Sequence, residues 1–167
     1  GADRVIALEP FKYSLAIAKE NIGKNGFSGK ITLVNAGIAA KSGKVRLDPD
    51  FMNDTGSRLY EFEVGEHVPL LALADLVSQY SLKDARGGAV LKLDCEGAEY
   101  PAILASDSET LRAFREILVE YHFGYRNLAA KLGEAGFGIE HLSPPQYSKS
   151  SEGAAYFIGF IYARRLD

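Results

Sequence analysis

The sequence lacks the features that indicate a secreted, membrane-spanning or nucleic-acid-binding protein. Its single cysteine, Cys95, cannot form an internal disulfide, and no cysteine pair has the spacing of a zinc site. It contains no window of about 18 consecutive apolar residues, and its N-terminus has no charged-then-apolar signal pattern. A net charge of −3 at pH 7 gives no basic footprint for nucleic acid or an anionic membrane. We therefore expect a cytoplasmic protein that acts on a small molecule and binds neither nucleic acid nor membrane.

The composition is that of one folded domain. A length of 167 residues with 47% hydrophobic side chains allows a sizeable core, so we predict a single domain over residues 1–167. Neither the glycine-rich phosphate loop of nucleotide-triphosphate enzymes nor the G-x-S-x-G nucleophile turn is present. The chain begins at Gly1, and the apolar run 5–8 follows almost at once, which indicates that the first element starts in mid-domain.

Strand-like and helix-like segments alternate along most of the chain. Strands are predicted at residues 4–9, 31–36, 45–48, 89–94, 117–123, 138–142 and 154–164, and helices at 98–106, 110–115, 126–136 and from residue 10 to the Asn25-Gly26 turn. The segment 68–80 is predicted to begin extended and to become a short helix that carries Leu73, Leu76 and Val77. The polar segment 49–66 predicts a surface loop or hairpin. Such alternation is typical of an α/β fold with a mainly parallel sheet, whose ligands bind at the carboxyl ends of the strands.

Glu9 ends the first predicted strand, where such folds bind ligands. A carboxylate at this position can accept two hydrogen bonds from a ribose diol. Glu9 also precedes a predicted helix, and a negative charge near the first turn of a helix is stabilising without any ligand. Both interpretations remain open from the sequence.

A charged cluster ends the strand predicted at 89–94. Lys92, Asp94 and Glu96 alternate, so in a continuing strand they project from one face. A strand inside a parallel sheet is normally apolar on both faces, and an unpaired buried charge costs several kcal/mol. Lys92 therefore needs a partner. The candidate partners are Asp94, Glu96, Glu120 and His122.

The charged cluster has other interpretations. It can be a structural ion-pair network at a sheet end. Its acidic and imidazole groups are also ligand types for a divalent metal, but their spacing is not diagnostic and we predict no metal. Glu99 fits a solvated charge in the first turn of a helix, Gly97 a sharp turn, and Cys95 a small residue at a packed strand end.

Several segments resemble FkbM-type methyltransferases in order and spacing. They are RVIALEP at 4–10, ENIGKNG at 20–26, ITLVNAGIA at 31–39, the run at 68–76 and, most specifically, LKLDCEGAE at 91–99. The resemblance covers nearly the whole chain. It implies a Rossmann-like class I methyltransferase sheet, mostly parallel with an antiparallel C-terminal strand. It also implies transfer of a methyl group from S-adenosylmethionine, usually to a hydroxyl oxygen of a sugar or natural product.

The resemblance also implies roles for individual residues. Glu9 would bind the ribose hydroxyls, Phe11 would lie near the adenine, and Asn35 and Ala36 would border it. Asp94 would contact the cofactor or the substrate. Methyl transfer to oxygen requires an acceptor held in line and a group that removes its proton. The candidates for this catalytic work are Glu96, His122 and Lys92, with Glu96 or His122 as the general base.

The sequence departs from the family in one respect. FkbM-type proteins place a strand and a D-x-G-A-x-x-G turn before the position of Gly1, and the strand is the central one of their sheet. We therefore expect a domain that lacks its first strand, binds the cofactor weakly by itself and associates through exposed sheet edges as a homo-oligomer. The alternatives are a non-catalytic interaction domain of the same fold and an α/β nucleotide-binding module of another class.

Overall fold

A computed structural model describes residues 1–47, 65–149 and 155–167. Almost all of the predicted surface segment at 49–66 lies outside them. The chain divides into two compact units, one formed by residues 1–38 and 42–71 and the other by 39–41 and 72–167. The single domain over 1–167 stays a prediction. None of the helices in the described ranges combines the length and apolar character needed to cross a bilayer.

The first unit contains a parallel strand pair joined by a helix. Its elements are β1 (Val5–Leu8), α1 (Lys12–Lys24), β2 (Ile31–Val34), β3 (Gly37–Ile38), β4 (Gly43–Leu47) and β5 (Glu66–Leu71). β1 and β2 run parallel and in step, with Val5 opposite Ile31 and Leu8 opposite Val34. A second sheet has the order β3-β5-β4. The equal register of β1 and β2 brings their carboxyl ends to the same level, so the residues that follow them are neighbours.

The second unit is built on a five-stranded sheet. Its elements are α2 (Leu73–Gln79), a short 3₁₀ helix (Leu82–Asp84), β6 (Ala89–Leu93), α3 (Glu99–Ala105), α4 (Ser108–Leu111), β7 (Phe114–Tyr121), α5 (Arg126–Glu134), β8 (Phe137–Leu142), β9 (Gln146–Lys149) and β10 (Ala155–Arg165). The strand order is β6-β7-β10-β8, and β9 also pairs with β10. β6 and β7 are parallel, whereas β10 is antiparallel to β7, β8 and β9.

Apolar side chains of the helices and strands fill the core of the second unit. Leu128 and Leu132 lie one turn apart on α5 and are both fully buried. Ile103 on α3 and Ile117 on β7 are also fully buried. Each such side chain contributes about 1.5–3 kcal/mol through removal of its surface from water. This core fixes the ends of β6 and β7, where the charged motif lies.

The predicted α/β class and the antiparallel C-terminal strand are confirmed. The expectation of a mostly parallel sheet is wrong for the described residues: β1-β2, β3-β5 and β6-β7 are parallel, but the other four pairings are antiparallel. The helix predicted at 110–115 ends at Leu111, because Phe114 already pairs with Ala89 in the sheet. β9 was not predicted, since it follows two prolines and gains its order from pairing with β10.

Gly159 on β10 offers a test of this packing. A Cβ there would overlap the hydroxyl of Tyr121 and lie 2.5 Å from its Cζ. Tyr121 cannot easily move, since it is fully buried and its hydroxyl donates to the Ser143 carbonyl at 2.8 Å. We expect Gly159→Ala to lower the free energy of unfolding by about 1–3 kcal/mol in urea titrations.

Gly133→Ala is the matched control. Gly133 lies in α5 with open space where a Cβ would stand, so the same substitution there should stabilise the protein by about 0.5–1 kcal/mol. Equal effects of the two substitutions would contradict the packing described for Gly159.

Candidate functional site

The predicted cofactor residues of the first unit form one hydrogen-bonded group. Glu9 follows β1, and Asn35 follows β2 at the same level. The Asn35 side-chain amide donates to the carbonyl oxygens of Glu9 and Pro10, at 3.0 Å each. The Glu9 Oε1 atom accepts the backbone N–H of Phe11 at 2.8 Å. Ala36 is buried beside them, at 1% exposure. The sequence therefore selected residues that the fold brings together, and their contact with a cofactor stays a prediction.

Among the described residues, the Glu9 carboxylate is held at one of its two oxygens. Burial raises the pKa of Glu9, and the N–H group of Phe11 opposes that effect. The bond to Phe11, which directly precedes α1, supports the helix-terminus interpretation. Within the described residues, however, Oε2 of Glu9 makes no hydrogen bond, so it can accept one from a ligand. Phe11 itself packs against Val45 and Val68.

In the second unit, the motif 91–99 turns sharply after β6. The strand ends at Leu93, and residues 95–98 form a turn before α3 begins at Glu99. Glu96 has a φ of 53° and Gly97 a φ of 109°, both in the left-handed region. A Cβ on Gly97 would lie 2.9 Å from Cε2 of Phe123, so only glycine fits there without displacement. The strand does not continue to Glu96, so strand alternation does not set the direction of that side chain.

Lys92 is not a buried charge. Its side chain is 71% exposed, and its Nζ lies 3.3 Å from Oδ2 of Asp94, which is itself 37% exposed. Val90, two residues earlier on the same face of β6, is also exposed. The inference that Lys92 needs a partner to offset burial is wrong, because this face of β6 is open in the described structure. Lys92 is an exposed neighbour of Asp94.

The buried ionisable side chains at this strand end are Glu99, within the motif, and His122, which follows β7. Glu99 is 0% exposed and His122 is 2% exposed. The Nδ1–H group of His122 donates to Oε1 of Glu99 at 2.8 Å. The other oxygen, Oε2, accepts the backbone N–H of Gly97 at 2.9 Å and contacts Sγ of Cys95 at 3.5 Å. Three donors thus satisfy one buried carboxylate.

The interpretation of Glu99 as a solvated charge is wrong. Glu99 lies three and four residues before Ala102 and Ile103, which are both buried, so it belongs to the inward face of α3. That spacing was the signal in the sequence that could have placed it inside. Sequence reasoning also missed Tyr100, whose hydroxyl donates to the Gly124 carbonyl at 2.5 Å and accepts the Phe123 N–H at 2.8 Å. These two bonds hold the chain directly after His122.

Three acidic side chains besides Glu99 lie close to the His122 ring. Nε2 lies 3.5 Å from Oε2 of Glu96. Ligand atoms of Asp94, Glu120 and His122 all lie within 4.8 Å of one another. We call Asp94, Glu96, Glu120 and His122 the strand-end cluster. All four were proposed as candidate partners or ligands from the sequence, and the fold brings them together.

The electrostatics of the strand-end cluster follow from its charges. The hydrogen bond to Glu99 raises the pKa of His122, against the effect of burial, and Glu96 and Glu120 add to the rise. Burial and the nearby Asp94 raise the pKa of Glu120. Burial and Glu99 raise the pKa of the Cys95 thiol far above its usual range, so Cys95 is not a thiolate nucleophile.

The sequence pattern of the Methyltransferase FkbM domain matches residues 1–139. The chain belongs to the FkbM methyltransferase family. The match covers every candidate residue from Glu9 to His122, and it confirms the family resemblance read from the motifs. No curated protein matches this FkbM-family chain significantly.

Two solved structures resemble the fold of this FkbM-family chain. Methyltransferase FkbM from Methylobacillus flagellatus KT aligns with a TM-score of 0.54 and 12% identity over 96% of this chain and 36% of its own. The chain therefore spans about a third of the length of that protein. A Streptococcus pneumoniae protein, provisionally assigned as a tRNA (m1A22) methyltransferase, aligns with a TM-score of 0.46 and 14% identity over 99% of this chain and 55% of its own. The first likeness supports a methyltransferase fold.

Proposed function

We propose that this FkbM-family chain is part of an S-adenosylmethionine-dependent enzyme that methylates a hydroxyl oxygen of a small molecule or glycan. The observation that carries the proposal is the strand-end cluster, where a partly exposed carboxylate, Glu96, lies beside a histidine held by a buried carboxylate. We also propose a Rossmann-like arrangement, supported by the parallel strand–helix–strand units from β1 to β2 and from β6 to β7. The central strand and the glycine-rich turn expected from the family stay predictions.

The first unit offers a group that fits the cofactor. S-adenosylmethionine, when bound, supplies a methyl group on a sulfonium centre, and its ribose presents two neighbouring hydroxyls. Glu9 has one oxygen anchored by Phe11 N–H and one oxygen without a hydrogen bond in the described residues, at the carboxyl end of a parallel strand. A fixed carboxylate in this position suits a ribose diol. Asn35 holds the backbone of Glu9 and Pro10 in place for this contact.

The strand-end cluster supplies the proton acceptor. Glu96 has a side chain that is 31% exposed, so it can contact a ligand, whereas His122 is almost completely buried. We assign the general base to Glu96, which takes the proton of the acceptor hydroxyl as that oxygen becomes methylated. His122, fixed by Glu99, is a positioning residue for Glu96 at a distance of 3.5 Å. Lys92 lies at the exposed edge of the cluster and influences it through Asp94.

Glu9→Gln tests the cofactor assignment. Glutamine keeps an oxygen that accepts the Phe11 N–H but loses the charge that strengthens hydrogen bonds from the ribose. We expect the Kd for S-adenosylhomocysteine, measured by calorimetry on the native protein, to rise by about 10-fold, with the unfolding midpoint nearly unchanged. Glu20→Gln, which removes an exposed carboxylate from α1, should leave the Kd unchanged.

The same titrations separate the alternatives. Equal or tighter binding of NAD or ATP than of S-adenosylhomocysteine by the native protein would overturn the cofactor assignment. Binding of S-adenosylhomocysteine without methyl transfer to any of a panel of sugars and hydroxylated natural products would instead favour the non-catalytic interaction domain.

A further inference from the structure

We infer that Asp94, Glu120 and His122 form a binding site for one divalent transition-metal ion. The site lies at the ends of two neighbouring parallel strands. Leu93, the last residue of β6, pairs with Val119 on β7, so Asp94 and Glu120 follow at the next level. His122 follows two residues after Glu120, just beyond the end of β7, and one of its ring nitrogens lies within 4.8 Å of a carboxylate oxygen of each of the other two. The sheet thereby directs two carboxylates and an imidazole toward one point.

The distances allow a common ion after small side-chain movements. One ligand atom from each of the three residues lies within 4.8 Å of the other two. Bonds of about 2.0–2.2 Å to an ion require ligand atoms roughly 3 Å apart. The carboxylates must therefore move inward by rotation about their side-chain bonds. The contact of Asp94 with Lys92 opposes this movement little, because it is an exposed ion pair of the kind that contributes little, and Asp94 already interacts with Glu120.

The orientation of His122 is an independent observation that points to a ligand. Metal-binding histidines usually donate their other ring N–H to a carboxylate or carbonyl, which fixes the tautomer and turns the free lone pair toward the ion. His122 has this arrangement, because its Nδ1–H donates to the fully buried Glu99. Its Nε2 atom is buried and faces the strand-end cluster, where it lies 3.5 Å from Oε2 of Glu96. With the proton on Nδ1, the ring turns the lone pair of Nε2 toward carboxylates, an arrangement that a bound cation stabilises.

The donor set selects the type of ion. Carboxylate oxygens suit Mg²⁺, Ca²⁺ and Mn²⁺, while imidazole suits first-row transition metals. Two carboxylates with one imidazole therefore favour an ion such as Mn²⁺ over Ca²⁺, which prefers oxygen ligands alone. An ion here would lower the pKa of a hydroxyl bound to it, close to the carboxylate of Glu96. The site goes beyond the proposed methyl transfer and can be measured without it.

Manganese binding to the native protein tests the inference. We expect saturable binding of one Mn²⁺ per chain, followed by the loss of the electron paramagnetic resonance signal of free Mn²⁺. Asp94→Asn and Glu120→Gln keep the size of the side chain and remove a ligand charge, so each should weaken the affinity by at least 10-fold. Both residues are at least partly exposed, and circular dichroism should show that the variants fold.

Glu116→Gln is the matched control. Glu116 is on β7, on the same face as Glu120 but four residues earlier, and its side chain contacts Arg115. Loss of the Glu116 charge should leave the affinity for Mn²⁺ unchanged. Absence of saturable Mn²⁺ binding, or equal affinities of the Asp94, Glu120 and Glu116 variants, overturns the metal site. Calorimetry with S-adenosylhomocysteine in metal-free buffer reports on the proposed function separately, so either proposal can fail alone.

Discussion

Replacing Glu99 by alanine is expected to lower the free energy of unfolding by about 3–5 kcal/mol, because it removes one partner of a buried charged pair. Glu99 satisfies the Nδ1–H group of His122 and the backbone N–H of Gly97 at the same time. Alanine would leave both donors inside the protein without an acceptor. The change is measured by urea unfolding followed by circular dichroism, with the slope of the transition used to check that the native state stays compact.

Glu99→Gln should give a smaller loss than Glu99→Ala. Its carbonyl oxygen can still accept from His122, but its amide nitrogen would face the N–H group of Gly97, donor against donor. Glu134→Ala, at an exposed position on α5, is the control and should change stability by less than about 0.5 kcal/mol. A Glu99→Ala variant as stable as this control would show that the buried pair contributes nothing to the fold.

Replacing Glu96 by glutamine is expected to reduce kcat for methyl transfer by about 10²- to 10⁴-fold, the usual contribution of a general base. Glutamine has nearly the same shape and keeps the turn, so KM should change little. The rate is measured as S-adenosylhomocysteine formed by the native protein with its acceptor. A Glu96→Gln variant that retains more than a tenth of the parent kcat would remove Glu96 from the role of base.

The positive φ of Glu96 leads to a second variant, for which the stability of the fold is measured as well as the activity. A non-glycine residue at a φ of 53° costs about 1–2 kcal/mol relative to ordinary backbone, and such strain is common where a side chain must be aimed at a ligand. Glu96→Gly should therefore abolish activity as Glu96→Gln does, while it raises the stability of the fold by about 0.5–1 kcal/mol. Loss of both activity and stability would mean that the glutamate side chain supports the turn.

The alternation of apolar segments was sufficient to predict most elements in the described residues. The stripe of Leu73, Leu76 and Val77 predicted α2, and these residues are buried as expected. Turn residues also placed several ends correctly, as where α1 stops just before Asn25. The pairing of strands was harder to predict from the sequence, because it depends on contacts between distant segments. Phe114 joins β7 rather than a helix only because Ala89 is opposite it.

The sequence predicted which residues form the candidate site, but it did not predict which of them are buried. The motif and the strand after it supplied Asp94, Glu96 and His122 as candidates near strand ends, and the fold brings these residues together. The sequence pattern assigned the inner charge to Lys92 and the solvated charge to Glu99, and the structure reverses the two. Alternation along a strand identifies residues on one face, but it does not say which face is covered. That depends on which elements pack there, and no local pattern contains the information.

The position of β10 has a consequence for how the chain folds during synthesis. β10 is made after β7 and β8 yet lies between them, and β8 pairs with β10 and not with β7. While a ribosome is still adding residues 155–165, the nascent chain can form only the β6-β7 part of this sheet. β8 cannot pair in this sheet until β10 has been made. We expect closure of these long-range contacts to be the slow step. Until it occurs, the strand ends that hold Asp94, Glu120 and His122 are carried by an unfinished sheet open to chaperones.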